Sequence, residues 1–352
     1  MTRRLVAAAV ALAVLFGGPP AQSEPVQLRI ATFHSELGRD GPGLLLRDIR
    51  RGRDAQIDAV IKVIGETAPD ILLLQGLDWG HDGQALNALN RRLDQPYRHL
   101  FAPRPNAGLA TGLDMDGDGR TGGPGDAQSY GTFTGQGGMA LLSRLPVDRA
   151  GARDFSTLLW RDLPGALLPV RGDGSPFPSA QAQAAQRLPS HGHWVVPVVL
   201  PDGRRLTVGA FHAAPPVFDG PEDRNGRRNH DEARFWTLFL DGQFGPAPDG
   251  PFVLIGDANL DPDKSDGRPE AMRALLSDPR LQDPVPQGAA DAATVDWPPP
   301  GPGQMRVSYV LPSRDLHVTG SGVFWPAPGQ PGAEAALTAS RHRLVWVDLS
   351  ID

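Results

Sequence analysis

Apolar positions in this chain fall into short blocks separated by long stretches rich in glycine and proline, and the spacing inside each block predicts its element. Val26 to Phe33 alternates apolar and polar side chains, the period of a strand. After it, Asp54 stands where a cap belongs, and Ile57, Val60, Ile61 and Ile64 recur at helical spacing. Ile71 to Leu74 is wholly apolar, as in a strand covered on both faces, and a helix is expected over Gly83 to Leu93. Met139 to Leu142 and Phe252 to Ile255 read as further buried strands, while His193 to Leu200 and Arg205 to His212 flank Pro201-Asp202-Gly203 as a hairpin. Asn229, with Glu232 three residues on, has capping-box spacing before a helix that carries Phe235, Trp236, Phe239 and Leu240. Strands near Arg306 to Leu311, Leu316 to Phe324 and Arg343 to Leu349 complete the series. Many strands with few helices imply two packed sheets with helices outside.

Composition adds the loops and the compartment. The 42 glycines and 36 prolines cluster at 101–126, 164–178, 213–228, 284–304 and 326–333, which predicts long surface loops on a rigid scaffold, where sites usually sit. Arg3 and Arg4 before the apolar run Leu5 to Phe16, then Gly17-Gly18-Pro19-Pro20 and small residues, form the pattern of a signal peptide over residues 1–23. Cleavage near Ser23 and Glu24 would release residues 24–352 as one domain into the periplasm or the medium. The apolar run is too short for a stable membrane anchor, and an uncleaved interfacial anchor is the alternative. With no cysteine, no disulfide stabilises the exported chain, so a sizeable core or a bound metal must. A net charge of −6 excludes a broad electrostatic footprint for nucleic acid, so any polyanion must be gripped locally. A monomer is expected.

Several strand ends carry words in a telling order: LRIATF at 28–33, PDILLLQ at 69–75, GMALLSRLPV at 138–147, FH at 211–212, GDAN at 256–259, RVSYVLPS at 306–313 and SRHRLVWVDL at 340–349. Together they resemble the endonuclease/exonuclease/phosphatase superfamily, the deoxyribonuclease I-like fold, from about Gln27 to Leu349. The resemblance implies an α/β four-layer sandwich, two face-to-face, mainly antiparallel β-sheets flanked by helices. It also implies a site at one end of the sheets and a divalent cation, magnesium or manganese, that aids phosphate-ester hydrolysis. Residues two apart on a strand share a face, so Asp257 and Asn259 are expected to flank one water, Asp257 as base and Asn259 as orienter. His212 and His342, at other strand ends, would stabilise charge building on phosphoryl oxygens. The alternatives are an Asx turn for the first pair and satisfied core histidines for the second.

Four positions depart from the family pattern. His34 stands where an Asn is usual, Gly76 where a metal-binding Glu follows the second strand's Gln, Ser308 where an Asp orients the catalytic His, and Arg341 in place of the Asp before that His. Asp78 and Glu36, each two residues beyond a lost position, are candidate replacement ligands. So is His34, which with His212, His342 and Asp257 would suit zinc or manganese better than magnesium.

A second acidic set, Asp114, Asp116 and Asp118 with Gly119 and Asp126, resembles a calcium loop that would stiffen a long segment. Arg224, Arg227, Arg228 and Asn229 combine guanidinium forks with an expected helix N-terminus, a place for phosphate to dock; a solvated polar loop is the alternative. The functional expectation is an exported metal-dependent phosphoesterase acting on a phosphorylated small molecule or nucleic acid by in-line water attack. Its rival is a catalytically inactive binding protein of the same fold, favoured by Gly76, Ser308 and Arg341. A third reading is a polysaccharide or lipid-phosphate binder with Trp79, Trp160, Trp297 and Trp325 stacking on sugars.

Overall fold

The computed structural model describes residues 25–352; the signal-peptide expectation for residues 1–23 lies outside them. Among the described residues, one sheet has six strands in the order β12-β13-β1-β2-β4-β3. These are β1 (Val26–His34), β2 (Ile71–Leu77), β3 (His99–Phe101), β4 (Gly138–Ser143), β12 (His317–Val323) and β13 (Val345–Ile351). The other runs β11-β8-β7-β6-β5, made of β5 (Arg153–Asp154), β6 (His193–Val199), β7 (Arg205–His212), β8 (Phe252–Asp257) and β11 (Ser308–Pro312). A small ribbon joins β9 (Val295–Trp297) to β10 (Gly303–Met305). Within the two large sheets, β1 and β2 pair in parallel, as do β7 and β8, and the remaining pairs are antiparallel.

Alternation along the strands sorts the core into three apolar layers. Ile30, Ile71, Leu73 and Leu141 of the first sheet meet Val196, Val208, Ala210, Val253, Ile255 and Val310 of the second. The opposite face of the first sheet, with Ala31, Phe33, Leu72 and Leu74, is covered by α1 (Leu44–Arg51), α2 (Ala55–Thr67), α3 (Gln84–Asn90) and α7 (Ala333–Ala339). The outer face of the second packs Phe211, Leu254 and Tyr309 against α5 (Arg224–Leu240) and α6 (Glu270–Leu276); α4 (Ala180–Ala185) lies in a loop. The result is the expected helix–sheet–sheet–helix sandwich.

Asp54 caps α2 as expected, its Oδ1 accepting the Ile57 N–H at 3.0 Å. The helix carrying Phe235 and Trp236 differs. It starts at Arg224 rather than after Asn229, so Asn229 is an interior residue and no cap. The reason is that Arg228, Asn229, Asp231 and Glu232, polar as they are, face inward and are buried. Helices α1, α4, α6 and α7 had no counterpart in the sequence expectation; each is short, and α1 buries only Leu45 and Ile49.

Candidate active site

The strand parity that builds the inter-sheet core also delivers the site. On β7, Val208 and Ala210 point between the sheets, so His212 two residues on does too; Val253 and Ile255 place Asp257, Val310 places Ser308, and Ile30 places His34. His212 is in register with Asp257, and Asp257 with Ser308. At this end the inter-sheet layer turns from apolar to polar: Gln75 donates to Thr32 at 2.7 Å, and the histidines begin one step further out.

His34 is the hub. Its Nδ1 lies 2.7 Å from Asp257 Oδ2, and its ring centroid is 4.7 Å from that of His212 and 4.2 Å from that of His342. His342 reaches the cluster from the loop before β13, fixed by Ser340, whose Oγ donates to His34 O at 2.8 Å and accepts the His342 N–H at 3.0 Å. His342 Nδ1 is 3.5 Å from Asp257 Oδ2 and, like the buried Nδ1 of His212, has no hydrogen-bond partner. Asp257 is fully covered while His34 and Asn259 are partly exposed, so the cluster opens past these two.

Burial governs the electrostatics. It holds the His342 imidazole down to about 3, aided by the neighbouring His34, and it holds His212 well below the usual range, so both rings are neutral near pH 7. Burial pushes the Asp257 carboxyl up. His342, the hydrogen bond and charge of His34, and the Asn259 N–H outweigh it, and the group stays ionised.

Sequence parity fails at two places. Strand β8 ends at Asp257, and Asn259 has φ 50°, outside the alternation. Its N–H closes an Asx turn on Asp257 Oδ1 at 2.9 Å, and its amide donates to Ala213 O at 2.7 Å, which sets Asn259 beside the residue after His212. The second break is a bulge at Gly76, φ 69°, between Gln75 and Leu77 of β2. Leu77 thereby joins the outer layer. Asp78 does not reach the cluster: buried, it accepts the N–H groups of Arg39 and Gly137, each at 3.0 Å, and ties two loops together. Glu36 is also engaged elsewhere, pairing through Oε1 with the Arg341 guanidinium and through Oε2 with the Arg341 N–H at 2.8 Å. Arg341, where the resemblance implies an Asp, thus pairs with an acid.

The expected phosphate dock is a brace. Arg228 is buried and donates to the carbonyls of Leu188, Gln128, Arg187 and Pro189, and Asn229 donates to Ala214 O and Ala258 O, both at 2.7 Å. Arg224 donates to Met115 O and Arg227 to Glu222 O. Glu232, one turn after Arg228, accepts the N–H groups of Ser190 and Ala214. Helix α5 therefore clamps the loops that follow β7 and β8, the two strands that end in His212 and Asp257.

His191 was not foreseen as part of the site. It stacks on His212 with centroids 3.8 Å apart and planes at 7°. Its position just ahead of β6, the strand paired with the one ending in His212, is the signal that marks it. Asp114, Asp116 and Asp126 bring carboxylate oxygens within 4.8 Å of one another. Asp118 stands apart, exposed, accepting the Arg120 N–H. Of the tryptophans, Trp160 is a core residue whose indole donates to Asp231 at 2.7 Å. Trp325 lies under Arg343, and Trp79 lines a hollow of about 480 Å³ with Leu45, Leu46 and Phe133. Trp297 alone of the four sits at the cluster, its ring centroid 5.4 Å from that of His342 with the planes at 86°.

The sequence matches the profile of the endonuclease/exonuclease/phosphatase family over residues 43–342. No curated protein matches it. Solved structures of similar fold include an endonuclease/exonuclease/phosphatase from Beutenbergia cavernae, 18% identical, with a TM-score of 0.53 over 92% of this chain and 72% of that one. The catalytic domain of human nocturnin with a bound sulfate anion is 14% identical, with a TM-score of 0.51 over 94% of each chain. The mannosyl-6-phosphatase of Bacteroides thetaiotaomicron is 14% identical, with a TM-score of 0.51 over 92% of this chain and 99% of that one. At such identities the likeness is one of fold; the profile match, which spans most of the chain, shows that this protein belongs to the endonuclease/exonuclease/phosphatase family.

Proposed function

We propose that the protein is an exported, metal-dependent phosphoesterase that hydrolyses a phosphodiester or phosphomonoester by in-line attack of water in the His34–His212–Asp257–His342 cleft. The observation that carries this reading is the ionised, fully covered Asp257 flanked by imidazoles at the open end of the sandwich. Family membership supplies the reaction class.

The residues present fit a divalent cation. His34, His212 and Asp257 each offer one ligand atom, all within 4.8 Å of one another, and the Nδ1 of His212 is buried without a partner. When bound, the ion supplies charge neutralisation of the phosphoryl oxygens and acidifies a water.

The chain's own groups supply the rest. Hydrogen bonds from His34 and Asn259 engage two of about four lone-pair directions on Asp257, so the carboxylate can still accept a proton from water. A neutral imidazole carries one N–H and one bare nitrogen, so His342 can donate to a phosphoryl oxygen, and His212 can donate from one edge and ligate from the other. Asn259, half-exposed with its amide nitrogen bound to Ala213 O, turns its carbonyl oxygen to orient the water.

Purified protein assayed with bis-p-nitrophenyl phosphate and p-nitrophenyl phosphate across a panel of divalent ions tests this. Turnover is expected to need metal and to fall about 100-fold or more in Asp257→Ala. Equal turnover in that variant, or none with any ion, refutes the proposal; the latter result together with retained phosphate binding leaves a binding protein of the same fold.

A further inference from the structure

We propose that the cluster is a transition-metal centre, in which His34, His212 and Asp257 hold one Zn²⁺-class ion in preference to Mg²⁺. The inference rests on the cleft described above and concerns the identity of its cation.

The donor set is two nitrogens and one carboxylate. Magnesium demands about six oxygens in near-ideal octahedral order, whereas imidazole with one carboxylate suits zinc, with an open position for water. Asp257 is the carboxylate of this cluster. The nearest alternatives by sequence are engaged, Glu36 by Arg341 and Asp78 by the N–H groups of Arg39 and Gly137. An oxygen-rich shell for magnesium would have to break these contacts.

Two further observations point the same way. His34 Nδ1 and Asp257 Oδ2, 2.7 Å apart, are spaced as atoms that share either a proton or a cation. The Nδ1 atoms of His212 and His342 are buried and unpartnered, which is costly for a polar atom unless something completes it. Asp257 brings the set one carboxylate donor beside the two imidazoles. His342 Nδ1, 3.5 Å from Asp257 Oδ2, stands beside this donor set rather than in it.

Gly76 is what makes room for this arrangement. A Cβ there would lie 2.6 Å from His34 Cδ2 and 2.8 Å from Nε2. A side chain at 76 would crowd the imidazole at 34, so the glycine leaves room for a nitrogen donor at 34 on the side where the resemblance implies an oxygen donor from 76.

The test is binding, not turnover. Metal-stripped full-length protein is titrated with Zn²⁺ and with Mg²⁺ by calorimetry, and with Co²⁺ while the visible d–d spectrum is recorded. Asp116→Asn is run in parallel to remove the acidic-loop cluster as a second site. One Zn²⁺ per chain is expected at this centre, bound at least about 100-fold more tightly than Mg²⁺. His34→Ala is expected to weaken it about 10- to 100-fold and to change the Co²⁺ spectrum. Should His34→Ala fail to fold, Asp257→Asn serves as the second variant, with circular dichroism checking the fold of each. Zinc binding unchanged in a folded cluster variant, or Mg²⁺ bound as tightly as Zn²⁺, overturns the inference. Magnesium-driven turnover with Zn²⁺ binding indifferent to these substitutions would sink this inference alone; zinc held by the cluster with no turnover would sink the phosphoesterase reading alone.

Discussion

Gly76→Ala probes the one backbone position on which the cluster's geometry hangs. Two penalties add. The native φ of 69° lies in the left-handed region, where a side chain costs about 1–2 kcal/mol. The new Cβ would also sit 2.6 Å from His34 Cδ2, 2.8 Å from His34 Nε2 and 2.9 Å from the Glu36 nitrogen, and crowding of this kind costs about 1–3 kcal/mol. Against them stands the smaller freedom of the unfolded alanine chain, which returns about 0.4–1 kcal/mol. The net loss is about 1–5 kcal/mol, a large share of the ~5–15 kcal/mol by which domains are stable. Two of the three contacts belong to the His34 ring, so His34→Ala should relieve them and leave the φ strain and the Glu36 contact. Urea unfolding of metal-stripped wild type, both single variants and the double variant should therefore give a coupling of about 1–2 kcal/mol. Additive losses, or a Gly76→Ala chain within about 0.5 kcal/mol of wild type, would refute the steric link between positions 34 and 76.

Other expectations follow from groups around the cluster. His193 is buried with both ring nitrogens unpartnered and its affinity held down to about 3 by burial, so the unfolded chain binds a proton that the folded chain refuses. Stability is then unaffected above the unfolded value near 6.5 and lost as pH falls below it, reaching about 2 kcal/mol at about pH 5, and His193→Phe should flatten the urea-midpoint profile in that window. Glu232→Ala removes the acceptor of the Ser190 and Ala214 N–H groups and is expected to cost about 2–4 kcal/mol and to lower phosphoesterase turnover more than its fold loss accounts for, read as kcat on chain shown folded by circular dichroism. Arg341→Ala breaks a half-exposed pair with Glu36 and should change the urea midpoint by less than about 1 kcal/mol, less still in high salt. Asp126→Asn should destabilise its loop even in chelator, since Asp126 accepts the Met115 and Gly123 N–H groups whether or not calcium binds, and hydrogen exchange over 111–126 would show it.

The fold was legible because the strands covered on both faces are wholly apolar words, and because the polar residue that ends each word keeps the parity of the strand before it. That parity put His34, His212 and Asp257 together. What hid was polar and buried. Arg228 and Asn229 read as a phosphate dock, and Asn229 with Glu232 as a capping box, because such types are usually exposed; carbonyls and N–H groups supplied by distant loops satisfy them instead. The bulge hid for a different reason: one glycine in a strand pattern gives no sign of how the register shifts, and one residue of shift redirects everything after it, Asp78 included.

Positions 34 and 76, which both depart from the pattern the resemblance implies, are sterically linked, and this bears on how the two departures are read. Taken separately, a Gly in place of a ligand side chain reads as loss. Taken with the Cβ distances, the glycine is the condition for an imidazole at 34 that touches Asp257, His212 and His342 at once. A site left to drift would be expected to carry stray charges. Here the acid at Glu36 has gained Arg341, with burial raising its carboxyl and the Arg341 hydrogen bonds and charge bringing it back below the usual value. Ser308 fits less well: in register with Asp257, its buried hydroxyl has no partner. A second carboxylate there, beside Asp257, would raise the affinity of one of the pair for a proton, and a hydroxyl does not. With a serine at 308, Asp257 is, among the described residues, the one carboxylate grouped with His34 and His212, so the acidic oxygens facing the cleft belong to a single side chain.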